Sequence, residues 1–173
     1  MAITIVNSVL AGSSDGDLVT TASDDMSAAD FLVTGISFGI NGSGTSPVTD
    51  SEANSYSALT ESNGSNWGCR IDHKVDPVVS ATHTFTVDCT ESRVDPSVCG
   101  AGFSGVLQVS PFDKQNGAAS GGPITSLSTN SITPAEDGEL IIAILVPDRT
   151  VTSVSINSGL TIIESITETA DHR

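Results

Sequence analysis

Turn-forming residues cut this chain into short pieces. Gly, Ser, Asn, Asp and Pro cluster at residues 12–17, 41–44, 63–64, 121–123, 134–138 and 157–159, and such clusters end regular structure wherever they fall. Between them lie apolar runs with period-two alternation. In Phe31–Ile40 (FLVTGISFGI), Leu32, Thr34, Ile36, Phe38 and Ile40 share one face, the spacing of a strand. In Trp67–Val75, Trp67, Cys69, Ile71, His73 and Val75 alternate with Gly68, Arg70, Asp72 and Lys74, which predicts a half-buried strand with its charged set toward solvent. Residues 82–90 repeat the pattern through Phe85, Val87 and Cys89. Residues 140–146 (LIIAILV) are apolar without a break, which predicts a central strand covered on both faces.

Shorter strands are expected at 3–9, 18–22, 47–51, 56–60, 127–133, 151–156 and 160–166. Within 96–109 the small-residue stretch CGAGFSGV allows close approach to a neighbour. About ten short strands bounded by turns predict an all-β fold, an antiparallel β-sandwich of jelly-roll or immunoglobulin-like type. The 173 residues fit one domain, 1–173, with 1–22 as a candidate N-terminal arm or pairing strand. Aromatic residues are only 4%, so the core rests on Val, Ile and Leu, side chains suited to a pleated surface.

Six basic residues stand against 21 acidic ones, a net charge of −15. Such a chain repels phosphate backbones and anionic lipid, which argues against nucleic-acid and membrane partners. No run approaches the length of a membrane helix. The N-terminus lacks the basic and unbroken apolar regions of a secretion signal, so synthesis in a cytoplasm is expected. The three cysteines, Cys69, Cys89 and Cys99, are then expected as free thiols, with one bridge plus one thiol as the alternative.

Candidate chemistry is sparse. The three histidines, His73, His83 and His172, sit in no nucleophile-elbow motif, and no catalytic residue is assigned. Cys69 and His73 have a C-x3-H spacing, but on a strand those positions lie about 13 Å apart, too far to share a zinc ion. Loop carboxylates Asp15, Asp17, Asp24, Asp25, Asp50 and Glu52 are candidate calcium ligands, since hard cations take oxygen donors from such loops. They match no EF-hand pattern, and solvated acidic loops are the simpler expectation. No other cofactor is expected. Tyr56 is the best candidate for an exposed aromatic that could stack on a sugar. Ile3, Ile5 and Val6 are candidates for an interface strand that pairs with a neighbour.

Five segments recur in a familiar order: FLVTGISFG, VTDSEANSYSALT, HTFTV, GFSGV and PAEDGELIIAI. Together, over residues 31–144, they resemble a group of β-sandwich domains from tailed-phage virion proteins and phage-like bacterial genes. That group carries a D-S-x-G-N-x-[YW] turn, an H-T-[VF]-x-[VF] strand, an [EG]-[FY]-S-G-[VL] segment and a D-G-E-L-[VI] strand. This chain departs at Ala53, where the group has Gly, and at Gly102, where the group has an acidic residue. It also ends at Arg173, soon after the last expected hairpin, so a closing strand is expected from elsewhere in the fold or from another subunit.

The resemblance implies a structural or adhesive virion role without catalytic residues. The expectation is a phage capsid decoration (cement) protein that binds the major capsid protein or another virion protein through loops and edge strands. It would be made in the host cytoplasm and located in the virion, as a homo-oligomer such as a trimer. The alternative is a tail-fibre or adhesion module that binds a host receptor or carbohydrate.

Overall fold

Alternating runs become strands wherever a second run lies alongside to complete their hydrogen bonds. The computed structural model describes residues 2–12, 16–40, 46–89, 93–120, 124–147, 153, 155–156 and 159–165. Nine strands form among them: β1 (Thr4–Gly12), β2 (Leu18–Thr20), β3 (Phe31–Ile40), β4 (Val48–Asp50), β5 (Ser57–Ala58), β6 (Ser62–Asn63), β7 (Trp67–Val75), β8 (Phe85–Asp88) and β9 (Arg93–Ser104). They build two antiparallel sheets. The larger runs β1-β9-β3-β7-β5, with β6 also on β7; the smaller runs β2-β8-β4. The packed sheets make the β-sandwich that the alternation predicts.

The inter-sheet core takes Leu32, Ile36 and Phe38 from β3, Val98 from β9, Phe85 and Val87 from β8, and Met26 from the loop before β3. All of these side chains are 0% exposed, and each contributes about 1.5–3 kcal/mol by leaving water. The small-residue stretch does bring a neighbour close. A Cβ on Gly100 would overlap the Phe85 ring, and one on Gly102 would press on Met26 and Ala29. The glycines of β9 therefore let the two sheets approach.

The other face of the large sheet carries a second apolar cluster, Phe31, Val33, Ala101 and Phe103, with Leu140 and Ile142 packed on it. Here the structure departs from expectation. Residues 140–146 are not a central strand: they have no strand partner among the described residues and are alternately half-buried and exposed. Residues 127–133 and 160–165 are likewise not strands. Much of the expected strand at 151–156, and residue 166, lie outside the described residues.

The N-terminal segment is also more than an arm. β1 pairs with β9 from Thr4↔Ser104 to Gly12↔Ser97, with an irregularity between Ile5 and Asn7. It is the edge strand of the large sheet, and Ile5 is 45% exposed.

The charged face of β7 reverses its expected direction. Its alternation is as predicted, but Asp72 is only 1% exposed. Arg70 grips it with two bonds, Nε to Oδ1 at 2.6 Å and Nη2 to Oδ2 at 2.8 Å. Arg70 also reaches Glu61 at 3.2 Å and donates to the Ser46 carbonyl at 2.8 Å. Burial disfavours the guanidinium charge, yet Asp72 and Glu61 outweigh that and raise its pKa. A charge pair that neutralises itself can occupy an interior position that polarity alone would send to solvent.

Candidate functional site

The densest polar cluster gathers around Asp50, at the end of β4. Asp is suited to this position because its carboxylate can accept hydrogen bonds from the backbone just ahead of it. Asp50 Oδ1 accepts from the amides of Glu52 at 3.0 Å and Asn54 at 2.9 Å. Its Oδ2 accepts from Asn54 Nδ2 at 2.8 Å and from the Tyr56 hydroxyl at 2.6 Å. Asn54 extends the cluster by donating to the Val78 carbonyl at 2.7 Å and accepting from the Val78 amide at 2.9 Å.

The fifth donor comes from the segment leading into the neighbouring strand, β8. Asp50 stands opposite Phe85 in the β4–β8 register, and His83 lies two residues before Phe85. His83 thus points inward like Phe85, and its Nε2 lies 3.1 Å from Asp50 Oδ2. Both side chains are fully buried. A second strap ties the same two segments, with Ser51 N donating to the Thr84 carbonyl at 3.1 Å and Thr84 N to Ser51 Oγ at 3.2 Å. Burial pushes the Asp50 pKa up, but the bonds from His83, Tyr56 and Asn54 outweigh it and hold the carboxyl well below the usual range. Burial, reinforced by Asp50, raises the Tyr56 phenol.

A His–Asp pair is the base-and-orienter half of a hydrolytic triad. Here the imidazole is 0% exposed and its Nδ1 is buried without a hydrogen-bond partner, so the pair lies wholly beneath the surface. Chemically, it is a clasp joining the turn after β4 to the start of β8.

Ala53 sits at the crown of that turn with φ of 57°, the left-handed region that costs an L-residue energy and glycine little. Ala53→Gly is expected to raise stability by about 0.5–1 kcal/mol, the strain relief exceeding the entropy that glycine adds to the unfolded chain. A thermal melt checks this, and a lowered midpoint would count against the strained turn.

The candidate calcium ligands do not converge. Asp17 is exposed, with its carbonyl accepting from the Cys89 amide at 2.6 Å. Asp24 accepts from Asn7 Nδ2 at 2.6 Å, and Asp25 binds Ser27, which lowers its pKa. Asp50 already serves five donors, and Glu52 is half-buried beside Ser51. Asp15 lies outside the described residues. Among the described residues no three His, Cys, Asp or Glu side chains form a metal-holding group.

Tyr56, expected as an exposed ring, is half-buried against the inter-sheet core with its hydroxyl turned inward. Ile3 packs on the outer cluster and Val6 on the inter-sheet core, leaving Ile5 as the exposed member of the three. His73 is on the outer face, with ring centroids 5.8 Å from Phe31 and 6.4 Å from Phe112. Burial lowers its pKa. Cys69 and Cys99 are free thiols, and burial raises that of Cys69 and pushes that of Cys99 up to about 11, while Cys89 Sγ donates to Ser46 Oγ at 3.4 Å.

The clasp was missed from sequence because its members belong to different segments. Asp50, Asn54 and Tyr56 share one turn, but His83 joins them only through the β4–β8 pairing. No family model matches the chain, and neither a curated protein nor a solved structure matches it.

Proposed function

We propose that the chain is a non-enzymatic structural protein that acts by surface contact, as an accessory component of a phage particle. Within that class, capsid decoration fits best: a β-sandwich that binds the major capsid protein or another virion protein through loops and edge strands. The observation that carries the contact role is where apolar surface lies. Among the described residues, eleven of the fourteen large exposed hydrophobics fall between Leu107 and Ile163. Interaction sites draw on contiguous exposed apolar surface, and this stretch is where we place the contact.

The acidic charge supports the same reading, since it keeps unassembled copies apart. The virion assignment itself rests on the order of the five segments. Repeated copies on one particle would make weak individual contacts sufficient. A tail-fibre or adhesion module is the second reading, and the inward-turned Tyr56 hydroxyl disfavours sugar stacking there.

Immunogold electron microscopy of phage particles from the source of this chain tests the proposal. Regular labelling over the head is the expected result. Labelling confined to the tail would favour the second reading, and unlabelled intact particles would overturn both.

A further inference from the structure

In an Asn-Gly pair the glycine amide nitrogen can attack the asparagine side-chain carbonyl, because glycine has no Cβ to block the approach. The chain holds three such pairs, at Asn41, Asn63 and Asn116. Asn41 lies outside the described residues. The other two pairs are both exposed to water, yet the fold arranges them in opposite ways.

At Asn63 the reacting groups are turned apart. Gly64 N donates to the Trp67 carbonyl at 2.8 Å, within the β6–β7 hairpin. Asn63 is held in β6 opposite Gly68, and its Oδ1 stands over that glycine, where a Cβ would overlap it. Attack here has to break the hairpin bond and swing the side chain off Gly68.

At Asn116 the same groups face each other. Gly117 N donates to Asn116 Oδ1 at 2.9 Å. With a C=O bond of about 1.2 Å, the nitrogen then lies no more than about 4 Å from Cγ, close to the roughly 3–3.5 Å of a near-attack arrangement. Asn116 belongs to no strand, so no ladder opposes the rotation that closes the ring. The residues on either side hold the segment in place. Gln115 accepts from the Thr60 amide at 3.0 Å and donates to the Thr60 carbonyl at 3.2 Å, and Gly117 packs against Ser62.

We propose that Asn116 is a deamidation site prepared by the fold. Gly117 N forms a bond to Asn116 Cγ, and the side-chain nitrogen leaves as ammonia, carrying away the proton of the Gly117 amide. Water then adds across one of the two C–N bonds of the cyclic imide and returns a proton to nitrogen, giving aspartate or isoaspartate. Either product adds a negative charge to a chain that already carries −15. Isoaspartate also lengthens the backbone between Gln115 and Gly117, and is expected to loosen their contacts with Thr60 and Ser62. The proposal concerns this chain alone and stands whether or not the chain belongs to a virion.

Peptide mapping by mass spectrometry, with separation of the aspartate and isoaspartate products, tests it on the full chain aged side by side in buffer and in urea. In the folded chain Asn116 is expected to convert about tenfold faster than Asn63 or more. In urea the two are expected to converge, since both are then plain Asn-Gly pairs. An Asn63 that converts as fast as Asn116 in the folded chain would overturn the proposal, as would an Asn116 that stays intact in the folded chain while converting in urea. A difference that persists in urea would also overturn it, because the cause would then be local sequence and not the fold.

Discussion

Asp50→Ala is expected to lose about 3–5 kcal/mol of folding stability, because it strands buried donors on three other residues. His83, Tyr56 and Asn54 all direct side-chain donors at this carboxylate, and the Glu52 and Asn54 amides reach its other oxygen. A single domain has only about 5–15 kcal/mol in total, so the variant should be marginal. Urea unfolding measures the loss, and an unchanged midpoint would remove the clasp from the account.

The same residue gives a pH signature. Because Asp50 is held below the ordinary carboxylate value, the unfolded chain binds its proton first as pH falls. The stabilisation is therefore full above about pH 4 and is lost progressively as pH drops toward the folded value. The wild-type advantage over Asp50→Ala should shrink over that range, and an advantage that grows on acidification would contradict the assignment.

Arg70→Met should cost a similar amount, about 3–5 kcal/mol, for a different reason. It leaves the Asp72 carboxylate, 1% exposed, with neither of its guanidinium bonds, and an uncompensated buried charge is strongly destabilising. The double variant R70M/D72L separates this cause from simple loss of packing. Removing both charges should recover most of the stability, since replacing a whole buried pair by apolar side chains is often neutral or favourable. Urea midpoints of the three proteins decide it. A double variant no more stable than Arg70→Met would show that the pair matters through its shape and not through its stranded charge.

The strands that were legible end to end are those in which polar and apolar residues alternate. Trp67–Val75 carries that alternation throughout and Phe31–Ile40 carries it from Gly35 onward, and their expected bounds are the observed ones. Alternation identifies two faces but does not say which is interior. Arg70 and Asp72 neutralise each other inside the sandwich, which the charges of single residues do not reveal. Residues 140–146 failed for the opposite reason: with every position apolar, period two is invisible, and the exposed Ile141 and Leu145 look the same as the inward Ile142 and Ile144.

The clasp was half legible. Asp50, Asn54 and Tyr56 share one turn, but taken singly Asp50 suggests a cation ligand and Tyr56 an exposed ring, and neither signals the other. His83 reaches Asp50 across 33 residues of chain, and only the pairing of β4 with β8 brings them together. The left-handed Ala53 gives physical content to the one departure in that turn, since glycine is the residue such a position favours.

The most direct test of the whole account is residue-resolved amide exchange at a concentration where the chain is monomeric. The amides of β3, β7 and β9, and those of Glu52 and Asn54 that donate to Asp50, should exchange only through global unfolding. Fast exchange in β3, β7 or β9, or at Glu52 and Asn54, would contradict a clasped two-sheet core.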